Sequence, residues 1–459
     1  MKKANRHRRA TTINALTDNI FLEIFSFCLH NPSASDDMAE WQRLVRVCRR
    51  WRQIIYASPC YLDLLLHCSE SKHKKLSCWP AFPISMRYSL PPDEKPVIAL
   101  FNHSDRVRRI NLIGGQQMEN VVAAMRSRSF PVLTHLELLH NADDNVVLPV
   151  DGFLGGSAPC LQQITIVGFF VPELSTRLSS CRDLVSLRLS DIGHTTPMAM
   201  VASLAVLTKL QTLDIDLWFS DDEERTRHPP TRVVLPALSS LTFPFRAQRE
   251  YMEDFVACID APRLDSISVD VEHCELGNPS IPQLTEFVGR SDFKFRDAEV
   301  EIFYSDVVKS RYRRVSPGGY ESKIWMTSEI RHDLDVAQAV NQTSAMNSNV
   351  DRLTINAVGL RFDSRDKIEW LDLLLSFTAV ETLHVCVAFT KEIVHAFEEM
   401  SMEMATQVLP ALGSIHLEGE PTETTNKLSI IFRKCGRIIT VTNEPVYLFS
   451  MNRRSESTA

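Results

Sequence analysis

Apolar and polar positions follow two different rhythms along the chain. Near the N-terminus Ile20, Phe21, Ile24, Phe25, Phe27 and Cys28 recur at i, i+3 and i+4, the spacing of a helix, but too densely to fit one stripe. A helix apolar over most of its circumference needs cover on two sides. A segment of about 50 residues, 13–62, is near the size at which a lone core becomes marginal, so the second side calls for another protein. Thr17 or Asp18 is placed to cap this helix, and Asp36 or Asp37 a second one through Trp41, Leu44, Val45 and Cys48. Trp51, Ile54 and Ile55 extend the second apolar face, with the Arg49-Arg50 pair beside it either meeting an acidic partner or simply solvated. Beyond it Pro59, Pro80, Pro83, Pro91 and Pro92 exclude long helices, which leaves 63–103 as a linker with one strand, Ile84 to Leu90.

From about residue 104 the rhythm becomes L-x-x-L-x-L with conservative replacements. It runs through Val107/Ile110/Leu112, Leu133/Leu136/Leu138, Leu161/Ile164/Ile166, Leu184/Leu187/Leu189, Leu210/Leu213/Ile215, Leu238/Leu241/Phe243 and Leu264/Ile267/Val269. A weak Leu284/Phe287 follows, then Val350/Leu353/Ile355, Val380/Leu383/Val385 and Leu412/Ile415/Leu417. From Val107 to Leu284 the leading residues stand 20 to 28 apart, the period of leucine-rich repeats. Pro131, Pro159, Pro236, Pro262, Pro282 and Pro410 each precede a leading residue by two and force the chain out of helix into the next strand. Between registers, Glu119 to Arg128, Met198 to Leu207, Arg249 to Ile259, Arg365 to Phe377 and Lys391 to Met404 read as helices. Strand, loop and helix repeated give an α/β fold, a solenoid over 104–449 with a parallel sheet inside and helices outside. The Asn or Cys that usually closes each repeat turn is present only at Asn141, so the repeats should be uneven. Between Leu284 and Val350 the rhythm breaks, and Ala298 to Tyr304, Ser310 to Val315 and Glu321 to Thr327 alternate as in an antiparallel meander turning at Pro317-Gly318-Gly319. This stretch, near 290–345, reads as a strand-rich insertion or a strongly degenerate pair of repeats.

Composition narrows the function. With 44% hydrophobic and 23% charged residues and a net charge of -7, nothing calls for nucleic acid or a membrane surface as partner. Eleven cysteines, without C-x-x-C or a Cys/His cluster at zinc spacing, read as reduced thiols in a cytoplasmic or nuclear protein that holds no metal. No apolar stretch resembles a secretory signal or a membrane span. The basic residues 1–12 and the tail 450–459 read as disordered. Catalytic arrangements are absent: Gly114-Gly115 and Gly155-Gly156 lack a phosphate-loop context, and the histidines lack metal-ligand spacing. No cofactor and no enzyme activity are expected. The acidic run Asp221 to Glu224, followed by Arg225, Arg227 and His228, is a solvated or docking loop. If the repeat leucines point in, their neighbours point out. Glu137, Arg188, Asp214, Asp216, Asp270, Arg352, His384, His416 and Glu418 then line a polar, mildly acidic concave face suited to a neutral or basic protein segment.

The run LTDNIFLEIFSF, followed by RLVRVCRRWRQIIYASP, resembles an F-box, and with the array behind it the chain is similar to fungal F-box proteins with irregular leucine-rich repeats. Thr17 stands where the F-box pattern has Pro, Leu62 where it has an aromatic, and Asn31 to Glu40 is an insertion. The resemblance implies a substrate-recognition subunit of a cullin-RING ubiquitin ligase. Leu16, Ile20, Ile24, Phe25, Leu44, Val47, Cys48 and Trp51 would dock on a Skp-type adaptor held by the cullin scaffold, and the repeat face would bind the protein substrate. The other reading is a repeat scaffold that assembles proteins without a ligase.

Overall fold

The computed structural model describes residues 16–29, 41–58, 66–68, 82–89, 94–141, 146–148, 154, 157–171, 178, 181–192, 196–216, 232–243, 249–271, 281–291, 294–303, 307–315, 321–329, 336–341, 344–358, 368–401, 403–419 and 422–444. The basic N-terminal residues, the Asn31 to Glu40 insertion, Leu62, the Asp221 to His228 cluster and the C-terminal tail lie outside them. The chain divides into two compact units, Met1–Phe169 and Phe170–Ala459. Both are α/β, with mostly parallel strands and helices.

In the first unit, helices Asp18–Leu29, Trp41–Leu44 and Arg49–Ala57 precede the sheet. Phe21, Phe25, Val45, Ile54 and Ile55 are buried among them. Strands Leu66–Cys68, Ile84–Ser89, Val107–Gly114, His135–His140 and Gln163–Val167 then pair in chain order, all parallel. Among its described residues the stretch 63–103, expected to hold one strand, has two strands, a helix, Lys95–Leu100, and a 3-10 turn, Phe101–His103; Pro96 sits in the helix's first turn, where its missing N–H costs nothing. Leu136 and Leu138 are buried while His135, Glu137 and Leu139 are half exposed. One sheet face is thus sealed and the other left open. At Gly168, with φ +77°, a Cβ would sit 2.2 Å from the His140 carbonyl oxygen, so the turn that follows the Gln163–Val167 strand needs glycine there.

The second unit begins with four parallel strands, Ser186–Ser190, Thr212–Asp216, Ser240–Phe243 and Ser266–Val271. Helices Pro197–Leu204, Arg249–Ala257 and Pro282–Arg290 pack in a row. Here the Leu284/Phe287 register is corrected. These residues lie with Val288 on the buried face of Pro282–Arg290, because i, i+3 spacing fits a helix as well as L-x-x-L, and Pro282 starts the helix where a strand was expected.

The expected meander is present, and it is built into the sheet. Glu321–Glu329 lies parallel beside Ser266–Val271, Val307–Val315 runs against it, and Asp297–Phe303 runs against that in turn. Arg352–Val358 then pairs parallel with Asp297–Phe303. The chain thus enters this block at its far strand and works back. Only the middle strand is reversed, so both outer strands match the direction of their parallel neighbours. Thr382–Val385, Ser414–Glu418 and Thr440–Glu444 follow in order, with helices Val336–Asn341, Trp370–Leu375, Thr390–Glu399 and Thr422–Lys434 in a second packed row. A buried hydrogen-bonded hub ties strand to helices. The Tyr312 hydroxyl donates to Asn347 Oδ1 at 2.5 Å, and the Asn347 amide donates to Val340 O at 3.1 Å and Ser376 Oγ at 2.9 Å.

Candidate functional site

Helix Asp18–Leu29 has two apolar sides, as its sequence requires. On one, Phe21 and Phe25 are buried and Trp51 wedges between the helices, its ring edge-on to both at 5.8 and 4.9 Å. On the other, Ile20, Ile24 and Phe27 stand at i, i+4 and i+7 and are 44%, 40% and 84% exposed. Val47, 60% exposed, adds an apolar residue from the turn before Arg49–Ala57. Three large side chains in one helical stripe form an unusual concentration of exposed apolar surface.

Of the residues assigned to docking, Ile20, Ile24, Val47 and Cys48 are therefore exposed, and Leu16, Leu44 and Trp51 half-buried. Phe25 is a correction: it is fully buried against Phe21 and Trp51 and holds the module together. Cys48 has a local duty as well, its Sγ accepting the Trp51 N–H at the start of the helix. The arginines sort by role. Arg50 donates to Asp18 Oδ1 at 2.7 Å and Leu16 O at 2.6 Å and lies over the Phe21 ring, clamping the first helix to the third. Arg49, with Arg43 and Arg46, is exposed.

The outward face of the strands holds the other candidate residues. In the first unit Glu137 accepts the Asn111 side-chain amide across one strand step. In the second unit Arg188 Nε stands 3.4 Å from Asp214 Oδ2, and Ser190 Oγ donates to Asp216 Oδ2 at 2.9 Å. Burial pushes the Asp214 carboxyl up, against the pull of Arg188. Burial also raises Asp216, with the Ser190 hydrogen bond acting the other way. Arg352 pairs with Asp297 at 3.4 Å. His384 and His416 are register partners whose rings stack 4.3 Å apart and 9° from parallel, with Thr442 Oγ1 2.8 Å from His416 Nδ1. Glu418, two residues beyond His416 on the same strand, is half-buried on the same face. The Asp270 side chain lies outside the described ones, although its backbone sits opposite Trp325.

Missing from the sequence reading are the outward residues of the meander. The Arg311 guanidinium lies 4.2 Å from the centre of the Trp325 ring and donates to Glu299 Oε2 at 3.0 Å, while Glu299 Oε1 accepts from Asn356 at 2.6 Å. Lys323 approaches the same indole at 5.4 Å, and Arg313 is its register partner. The alternation of 310–315 and 321–327 was readable; their place within the face was not.

Among the described residues, no group of three or more His, Cys, Asp or Glu side chains converges as a metal site, and no helix is long and apolar enough to cross a membrane. No protein-family model matches the chain, and no curated protein matches it.

Proposed function

We propose that the chain is a non-catalytic receptor with two protein-binding surfaces. One is the apolar stripe of its N-terminal helices and the other the polar face of its strands. More particularly, we read it as the substrate-recognition subunit of a cullin-RING ubiquitin ligase. Residues 13–62 act as an F-box on a Skp-type adaptor, and the strand registers act as irregular leucine-rich repeats that hold a protein substrate. The observation that carries this reading is the pairing of Ile20, Ile24 and Phe27 outside with Phe21 and Phe25 inside on one helix. The inner side already closes the module, so the outer stripe is surplus to folding, and covering it is worth about 25 cal/mol per Å² of apolar area. The exposed Arg43, Arg46 and Arg49 favour an acidic rim on the partner. A receptor of this kind needs no catalytic group, because it raises the effective concentration of a substrate lysine near the charged ubiquitin enzyme.

Capture of a Skp-type adaptor by the full-length chain tests the reading. The double variant Ile24→Asp, Phe27→Asp should lose capture by more than about tenfold with an unchanged thermal midpoint, since both side chains face outward. Failure of the native chain to capture the adaptor removes the ligase assignment and leaves a scaffold.

A further inference from the structure

The outward face of the second unit is not uniformly acidic. The cross-strand register gives one continuous row: Arg188, Asp214, Thr242, Ser268, Lys323, Arg313, Asp297 and Arg352. The next row along the strands places Asp216 at one end, and Asp270, Trp325, Arg311 and Glu299 side by side further on. Two charged zones emerge. In one, Asp214 and Asp216 share, among the described residues, the neighbouring cation Arg188. In the other, Lys309, Arg311, Arg313 and Lys323 surround Trp325 and face Asp297, Glu299 and Glu301. Glu301, 7% exposed, and Glu299, its side chain 13% exposed, are deeply seated, while Asp297 is more open and pairs with Arg352. Among the described side chains of this zone, four half-buried cations thus stand against three carboxylates, two of them deeply seated, which leaves the zone basic on balance. Between the zones the described side chains are small hydroxyls, Ser240, Thr242, Ser266 and Ser268, half-buried. They make a low floor on which a backbone can lie close.

We infer that this face binds an extended protein segment of mixed charge, laid across the strands with a basic side chain over Asp214 and Asp216 and an acidic one over Lys323 and Arg313. The inference rests on the receptor reading and adds the chemistry of the partner. Three strand steps separate the Thr212–Asp216 strand from Glu321–Glu329, and four separate it from Val307–Val315. At about 4.8 Å per step and about 3.3 Å per extended residue, the two charges of the partner stand about four to six residues apart. Trp325, with the Arg311 guanidinium 4.2 Å from its ring centre, offers an amphipathic contact to the side chain next to the acidic one. The two half-buried aspartates also give the arrangement a direction. A partner's ammonium or guanidinium offsets the desolvation that each carboxylate already bears, whereas a partner with two acidic ends meets repulsion there.

Selection of random dodecapeptides displayed on phage, with the immobilised full-length chain as target, tests this. Recovered peptides should be enriched in Lys or Arg about four to six positions from Asp or Glu. Synthetic copies should bind about tenfold more weakly to the Asp214→Asn, Asp216→Asn variant and to the Arg313→Gln, Lys323→Gln variant. A peptide whose basic residue is replaced by Ala should lose nothing further on the aspartate variant. No recovered peptides, no preferred spacing, or equal binding to both variants and the native chain would overturn the proposal. Adaptor capture by the same variants should stay intact. Loss of adaptor capture by the native chain counts against the ligase reading alone, and loss of the peptide alone against this one.

Discussion

At the scale of single residues, Asp214 and Asp216 carry a charge in a place where burial disfavours it. The ordinary carboxyl value is 3.8, and both stand above it in the fold with desolvation as the largest cause. The folded state therefore takes up these protons before the unfolded chain does as pH falls. At neutral pH both carboxylates are charged and weaken the fold, and that penalty is relieved as pH drops through their folded values toward 3.8. The shifts include Arg188 and Ser190, so asparagine, a neutral isostere, keeps the shape and sheds the penalty. The Asp214→Asn, Asp216→Asn variant should be more stable than the native chain at pH 7, by at most ~1 kcal/mol because both groups are partly solvated. The gap should close as pH falls toward 4. Urea midpoints at the two pH values measure this. A variant less stable at pH 7 would mean that Arg188 outweighs burial after all.

At the scale of elements, one helix can depend on a side chain borrowed from another. Pro282–Arg290 starts without a side-chain cap of its own. Glu253, from the preceding helix and 8% exposed, accepts the Gln283 N–H at 2.8 Å and the Leu284 N–H at 2.9 Å, placing a carboxylate at the positive end of the helix dipole. Glu253→Ala should cost about 2–3 kcal/mol by leaving buried donors unmet, with Glu253→Gln recovering part of it. Hydrogen exchange at 283 and 284 should rise with it; unchanged exchange would show that the cap holds nothing. This dependence also explains what the sequence could and could not disclose. Strands with a leading leucine and strict alternation were readable because one face is sealed, as in Leu133/Leu136/Leu138. Thr440–Glu444 was missed because its outward threonines and exposed Asn443 leave Val441 with little pattern around it. Leu284 and Phe287 were misread because a cap supplied by Glu253 from 30 residues earlier leaves no local start signal. The candidate surfaces divide likewise. The outward parity of Asp214, Asp216 and His416 follows from local periodicity, whereas the meeting of Arg311 with Trp325 follows from the reversed entry of the 297–329 block, which is a matter of topology.

At the scale of the whole chain, the cysteines report both cores and one of the proposed interfaces at once. Cys68, Cys181 and Cys258 are buried, and Cys28, Cys48 and Cys160 exposed. Burial pushes the Cys68 thiol up to about 11, with Arg106 offsetting a little of it, and burial raises Cys258 too. The thiolate is the reactive form, so exposure and acidity act together. Brief treatment of the native chain with a maleimide at pH 7.5, followed by peptide mass spectrometry, should modify Cys28, Cys48 and Cys160 at least ~10-fold faster than Cys68 and Cys258. Equal rates for all five would contradict the packing. Cys28 borders the stripe of Ile24 and Phe27, and Cys48 follows Val47, whereas Cys160 precedes the Gln163–Val167 strand. A bound adaptor should therefore slow Cys28 and Cys48 and leave Cys160 unchanged. If the adaptor binds and Cys28 and Cys48 still react at their free rates, the docking surface is not the one that Ile20, Ile24 and Phe27 form.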